Sequence, residues 1–223
     1  MSGAGKNIRK MALQRRFKAI QLFIATVLLA CLPFVGKAFV HQLALITKTV
    51  VVMPPVWLYL VCFSMAGVTL WGGLYLWKRA NHADQGAQGE EDIATTLTPL
   101  SSEGWQIEYG IRDRRLGDID VFLLSPKSRA YTIDVKSHKG SVRSQDSKLY
   151  RQYGQTRYTF EKDFLSQAKQ QAIAMKGQKG LRFVTPLVVF SAAKVEVTAN
   201  PIAHVYVLGK ENLLSQLPSL ELT

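Results

Sequence analysis

Two long runs without a charged residue constrain this chain more than anything else in it: eighteen residues over 19–36 and twenty-eight over 50–77. A helix crossing the hydrocarbon core of a bilayer needs about 20 predominantly apolar residues. Each run therefore predicts a membrane span, and the pair predicts a two-helix transmembrane hairpin. In the second run Pro54-Pro55 confine the helix to about residues 55–77, because proline suits a helix start but not its interior. Trp57 and Tyr59 at one end, with Tyr75 and Trp77 at the other, match the aromatic belts of the two membrane interfaces. The first run is shorter and contains Pro33.

The flanking cations set an orientation. Lys6, Arg9, Lys10, Arg15, Arg16 and Lys18 lie in the basic tail, residues 1–18, and Lys78-Arg79 follow the second span. The connecting loop, residues 37–49, carries only Lys37 and Lys48. By the positive-inside rule both termini face the cytoplasm of an inner or plasma membrane protein. A basic tail before a short apolar core also fits a cleaved secretory signal, and Leu28-Leu-Ala-Cys31 fits a bacterial lipoprotein cleavage box. The sequence stays apolar past Cys31, as Leu-Pro-Phe-Val, which favours an uncleaved helix.

The net charge of +12 invites a nucleic-acid reading until it is located. Residues 1–79 hold ten Lys/Arg and no acidic residue, whereas residues 80–223 hold eighteen Lys/Arg against sixteen Asp/Glu, a net +2. The excess belongs to the membrane-flanking part, so it says little about DNA. Cys31 and Cys62 both sit in apolar runs. Neither a disulfide framework nor a zinc site has that spacing, and any metal here is expected to be oxygen-ligated.

Beyond a small, polar linker over residues 78–88, a helical period begins at Gly89, with Ile93, Ala94, Leu97 and Leu100 on one stripe. Glu90, Glu91 and Asp92 would occupy its first turn, where acids suit the helix dipole. Strands are predicted over 105–111, 119–124 and 130–136 from alternation and β-branched content. A further short strand is predicted from Gly140. Residues 143–160, polar, basic and rich in tyrosine, read as a loop or irregular insertion. A second helix over 163–176 turns Phe164, Ala168, Ala172 and Met175 inward. Strands over 182–191 and 203–208 and a closing helix over 211–217 complete an α/β domain with a mixed central sheet flanked by helices.

The chemistry lies in the strand pair. Side chains alternate across a strand, so Asp134 and Lys136 share a face. If residues 125–129 form the turn, Leu124 pairs with Ala130, Asp120 stands opposite Asp134, and Asp118 faces Lys136. Two carboxylates opposed at about 5 Å repel unless a cation lies between them. Mg²⁺ (or Mn²⁺) is the natural resident, since it takes oxygen ligands and often uses one or two carboxylates with waters and substrate phosphate. Such an ion activates water against a phosphodiester, with Lys136 placed to stabilise developing charge. Glu90 would add a carboxylate and Gln167 a polar contact.

Plainer readings stand beside these. Asp134-x-Lys136 is also what an ion pair on a solvated sheet edge looks like, worth about 0–1 kcal/mol. Asp118 suits a turn cap, and His138 suits an exposed strand end better than catalysis. The Lys148, Tyr150, Arg151, Tyr153, Arg157, Tyr158 run suits base stacking and phosphate binding as well as it suits an ordinary surface loop.

Taken together, Gly89-Glu90, Gly117-Asp118-Ile119-Asp120, Tyr131-Thr-Ile-Asp-Val-Lys136, Gly140 and Gln167-Ala168 resemble the nuclease-related domain, NERD, of the PD-(D/E)xK nuclease superfamily. The resemblance covers residues 89–217. It implies a restriction-endonuclease-like α/β fold, Mg²⁺ dependence, and a nuclease-like core of Asp120, Asp134 and Lys136 supported by Glu90 and Gln167. The acid before x-Lys is aspartate here, where glutamate is common in the superfamily. The expected function is a membrane-anchored, cytoplasm-facing hydrolase of DNA or RNA phosphodiesters. The alternatives are an inactive nuclease fold used as a binding or scaffolding module, and an envelope protein without a nucleic-acid role.

Overall fold

A computed structural model describes residues 5–48, 55–113 and 117–220. They fall into two compact units, one of residues 9–84 and one of the remainder.

The first unit consists of parts of two long helices, α1 (Lys6–Thr47) and α2 (Val56–Ser102). Both are long and apolar enough to cross a membrane, and only 11% and 17% of their apolar windows are buried. A core helix of a globular protein would be mostly covered, whereas these two leave most of their apolar surface open. Between them Thr26 Oγ1 and Thr69 Oγ1 lie 2.8 Å apart, and Phe34 packs edge-on against Tyr59 and Phe63. Gly73 admits Phe23: a Cβ there would stand 2.5 Å from the ring. Small residues that let helices approach are the usual device of membrane packing.

Three expectations are corrected here. The basic tail is helical from Lys6, and the loop expected over 37–49 is helical to Thr47. The linker over 78–88 is likewise helical, although the boundary between the units, after Asp84, falls inside it. That stretch is polar but rich in alanine and glutamine, which are good helix formers. Because α2 starts at Val56, the Glu90-Glu91-Asp92 trio lies deep inside a helix and gains nothing from a helix N-terminus. The start of the second expected span, residues 50–54, lies outside the described residues.

The second unit is a mixed sheet covered on both faces. Among the described residues it has seven strands: β1 (Gln106–Asp113), β2 (Gly117–Leu124), β3 (Ala130–Gln145), β4 (Lys148–Tyr153), β5 (Thr156–Thr159), β6 (Thr185–Val195) and β7 (Tyr206–Gly209). Strands β1 to β5 pair antiparallel in sequence order, while β6 runs parallel to β3 and β7 parallel to β6. Alternation sorts the core into two layers. Tyr131, Ile133, Leu187 and Val189 meet Ile93, Leu97 and Leu100 of α2 and Leu213 and Leu217 of α4 (Lys210–Leu220). Val188 and Phe190 meet α3 (Phe164–Lys179) through Phe164, Leu165 and Ala168.

The central strand β3 is sixteen residues long, and one of its edges is shared. β2 pairs with Ala130–Ile133 and β4 with Ser141–Gln145, so among the described residues no strand lies beside 134–140 on that edge. Gly140 closes the gap: its φ is +97°, and a Cβ would stand 2.7 Å from the Gln152 carbonyl oxygen. Only glycine takes that conformation and that approach without strain. The short strand expected from Gly140 is thus the far half of β3, and the loop expected over 143–160 is mostly the β4–β5 hairpin.

Candidate active site

The site occupies the unpaired stretch of β3. The turn pairs Leu124 with Ala130 as expected, closed by Ser125 N–H donating to the Arg129 carbonyl at 2.8 Å. The ladder ends at Val121–Ile133, one step short of setting Asp120 across from Asp134. Val135 N–H would then be a buried orphan, which is costly. Asp120 Oδ2 accepts it at 2.7 Å. A side chain has replaced the ladder, and this fixes the Asp120 carboxylate at the mouth of the gap.

Asp134 is 2% exposed. Lys136 Nζ lies 2.8 Å from both of its oxygens, bonding to Oδ1. Oδ2 is buried and accepts no hydrogen bond. Gln171 of α3 is buried too, and it draws the pKa of the same carboxyl down. Lys136 also reaches Gln167 Oε1 at 3.4 Å and sits 4.6 Å over the Phe164 ring. Its ammonium is therefore held by two polar groups and an aromatic face rather than moving freely. Glu90, 9% exposed, comes from α2 and accepts Gly5 N–H on Oε2 at 3.0 Å. Gly89 permits this approach: a Cβ there would stand 2.7 Å from Ser191 Oγ and 2.9 Å from Ser137 Cβ.

The three carboxyls act on one another's charge. Burial pushes Asp120 well above the usual carboxylate range, and repulsion from Asp134 and Glu90 adds to it. Burial also raises Asp134, against the pull of Lys136, Gln171 and Lys162. Glu90 is raised by burial and by repulsion from Asp118 and Asp134, while the Gly5 amide opposes the shift. Acids that resist ionisation beside one another are what a bound cation would relieve.

Asp118, expected opposite Lys136, lies past the end of the β2–β3 ladder, and its register partner is Arg112 on the β1 side. His138 is not at an exposed strand end. It is half-buried between Phe160 and Phe164, at 5.1 and 5.6 Å between ring centres, and burial lowers its pKa, helped by Arg151 and Lys136. Sequence reasoning missed Gln171 and the Gly5 amide. Gln171 had a signal: it follows Gln167 by four residues and so shares its helix face. Gly5 had none, being 85 residues from its partner.

Among the described residues no three His, Cys, Asp or Glu side chains are gathered closely enough to form a complete metal cage. Mg²⁺ does not need one, since it keeps several waters and commonly takes only one or two carboxylates. The Asp134 Oδ2, buried and ion-paired with Lys136 but without a hydrogen bond, and the neighbouring Asp120 carboxylate fit that donor set.

No curated protein and no solved structure matches this chain. The family model of the nuclease-related domain matches residues 85–191, which run from the end of α2 that carries Glu90 to β6 and enclose the whole site. Residues 85–191 of this chain are thus similar to the nuclease-related domain, NERD, and that stretch carries the site.

Proposed function

We propose that this chain is a membrane-anchored, cytoplasm-facing nuclease that hydrolyses phosphodiester bonds of DNA or RNA with a divalent cation. The observation that carries it is the Asp120 carboxylate of β2 bonded to the unpaired stretch of β3 that bears Asp134 and Lys136. Asp120 and Asp134 would hold Mg²⁺ or Mn²⁺, with Glu90 as an outer carboxylate. When bound, such an ion supplies Lewis acidity to a phosphate oxygen and lowers the pKa of a water. The chain's own groups do the rest. Lys136 places a positive charge where the phosphorane charge develops. Gln167 and Phe164 aim that ammonium, Gln171 draws the Asp134 pKa down, and Val135 N–H holds Asp120.

The two apolar helices would anchor the protein, and the cation bias around them would keep the nuclease-related domain in the cytoplasm. The test is cleavage by the full chain, purified in detergent, of labelled single-stranded and duplex DNA and RNA with Mg²⁺ or Mn²⁺. Activity should vanish in Asp120→Asn and in Lys136→Ala, with melting curves showing both folded. A folded wild type that cuts none of these substrates would refute the enzyme.

One observation favours a second reading, a nuclease fold that only binds or scaffolds. Lys136 already neutralises Asp134, and the Gly5 amide already satisfies Glu90. In that reading cleavage is absent, and Lys136→Ala costs stability by stranding a buried carboxylate, by about 3 kcal/mol or more.

A further inference from the structure

The β4–β5 hairpin has two different faces. Arg151 stands directly opposite Tyr158, its guanidinium 5.2 Å over the ring, and both line a recess of about 390 Å³. Arg157 and Tyr150 form the second cation–aromatic pair, at 3.8 Å, and line a second, larger recess that shares Phe160, Lys162 and Phe164 with the first. Cross-strand alternation explains the split, since 150 and 151, like 157 and 158, point to opposite faces.

The smaller recess adjoins the candidate active site. Its wall includes His138, Phe160, Lys162 and Phe164. Phe164 is the ring under the Lys136 ammonium, and Lys162 is close enough to Asp134 to lower its pKa. One aromatic ring thus separates the recess from the reacting groups. Its size falls in the range of small-ligand sites, about 300–1,000 Å³. Its chemistry is aromatic faces (Tyr158, Phe160, His138) with two cations at the rim (Arg151, Lys162) and one acid, Glu161. Tyr158 is 45% exposed, so its ring is accessible to a ligand.

Aromatic faces interleaved with cations are how proteins take a single strand, stacking a base while the cations hold its phosphates. A stacked duplex cannot offer a base face. Duplex binding instead needs a broad field of cations, and residues 80–223 carry only +2. We infer that the recess between the β4–β5 hairpin and the start of α3 is a nucleobase pocket, and that the substrate is single-stranded nucleic acid. Tyr158 stacks on a base next to the scissile phosphate, and Arg151 and Lys162 hold the flanking phosphates. The inference rests on the nuclease reading of the neighbouring site for its orientation, but not for its binding.

The test measures binding, separately from cleavage. The full chain carrying Asp120→Asn, in detergent and without divalent cation, is titrated into short labelled single strands of DNA and RNA and the matching duplexes. Single strands of at least one kind should bind about tenfold tighter than duplex. Tyr158→Ala and Lys162→Gln should each weaken that binding about fivefold or more, while Tyr158→Phe keeps it. A 2-aminopurine in the strand should be quenched on binding, and less so in Tyr158→Ala. Lys162 lies outside any strand, so its variant reports on the pocket even if Tyr158→Ala loosens the hairpin. Equal or tighter duplex binding, no binding of either, or single-strand affinity unchanged in both variants overturns the pocket. If binding follows this pattern while the wild type cuts nothing with Mg²⁺ or Mn²⁺, the nuclease reading falls and the pocket stands. Cleavage that is indifferent to Tyr158 and Lys162 gives the reverse.

Discussion

Asp120 shows how a stability cost marks function. Its carboxylate fills a gap in the ladder by accepting Val135 N–H, yet burial and two neighbouring acids make its ionised form unfavourable. A carboxylate whose folded pKa is raised holds its proton more tightly folded than unfolded. Stability is therefore intact below the unfolded value, about pH 4, and falls as pH rises from there through the raised folded value. Asparagine keeps the acceptor oxygen and drops the charge. Metal-free Asp120→Asn should be more stable than wild type at neutral pH by ~1–2 kcal/mol, the usual gain when a functional charge is removed. Denaturant midpoints should converge near pH 4, and a variant no more stable than wild type at pH 7 would show that the site is not strained. The Leu124–Ala130 pairing was legible in the sequence because residues 125–129 fix the turn, whereas the bond of Asp120 to Val135 N–H, past the end of that ladder, was not. The environment of His138 was not, because its aromatic partners come from the segment leading into α3 and from α3 itself.

At the scale of elements, the site exists because β2 and β4 share one edge of β3 without meeting. Gly89 is the hinge of that arrangement, since it lets α2 touch the β3–β6 pair and carry Glu90 in. Alanine at this position would gain about 1 kcal/mol of helix propensity, but its Cβ would already stand 2.7 Å from Ser191 Oγ and 2.9 Å from Ser137 Cβ. Valine forfeits that gain and collides with Ser137 and Ser191. Overpacking of this kind costs about 1–3 kcal/mol, so Gly89→Val should lower the melting temperature and weaken Mn²⁺ affinity together, because Glu90 moves with the helix. A loss of stability with unchanged Mn²⁺ affinity would remove Glu90 from the site. The two helix stripes of the nuclease-related domain were readable from their 3.6-residue period, and the structure buries Ile93, Leu97, Ala168 and Met175 as that period requires. The β4–β5 hairpin was not readable. Its strands are held by cation–aromatic pairs across exposed faces rather than by apolar alternation, so they carry no period-2 hydrophobic signal.

For the whole molecule, the apolar helices and the nuclease-related domain obey different rules, and the sequence separates them by charge. The ten cations up to and including Arg79 have no acidic counterpart in residues 1–79, while the rest of the chain is nearly neutral. A phosphatase reporter fused after Thr223 should stay inactive and a fluorescent reporter should mature, because the two require opposite sides of the membrane. Phosphatase activity there would invert the proposed orientation. The helices extend past the expected spans because helical hydrogen bonding does not stop where hydrophobicity does. The central claim is that Asp120 and Asp134 share a divalent cation, and Mn²⁺ binding to the full chain, followed by electron paramagnetic resonance, tests it most directly. One tightly bound Mn²⁺ per chain is expected, displaced by Mg²⁺ and lost in both Asp120→Asn and Asp134→Asn. Absence of a bound ion in the folded wild type, or an ion that survives both substitutions, would contradict it.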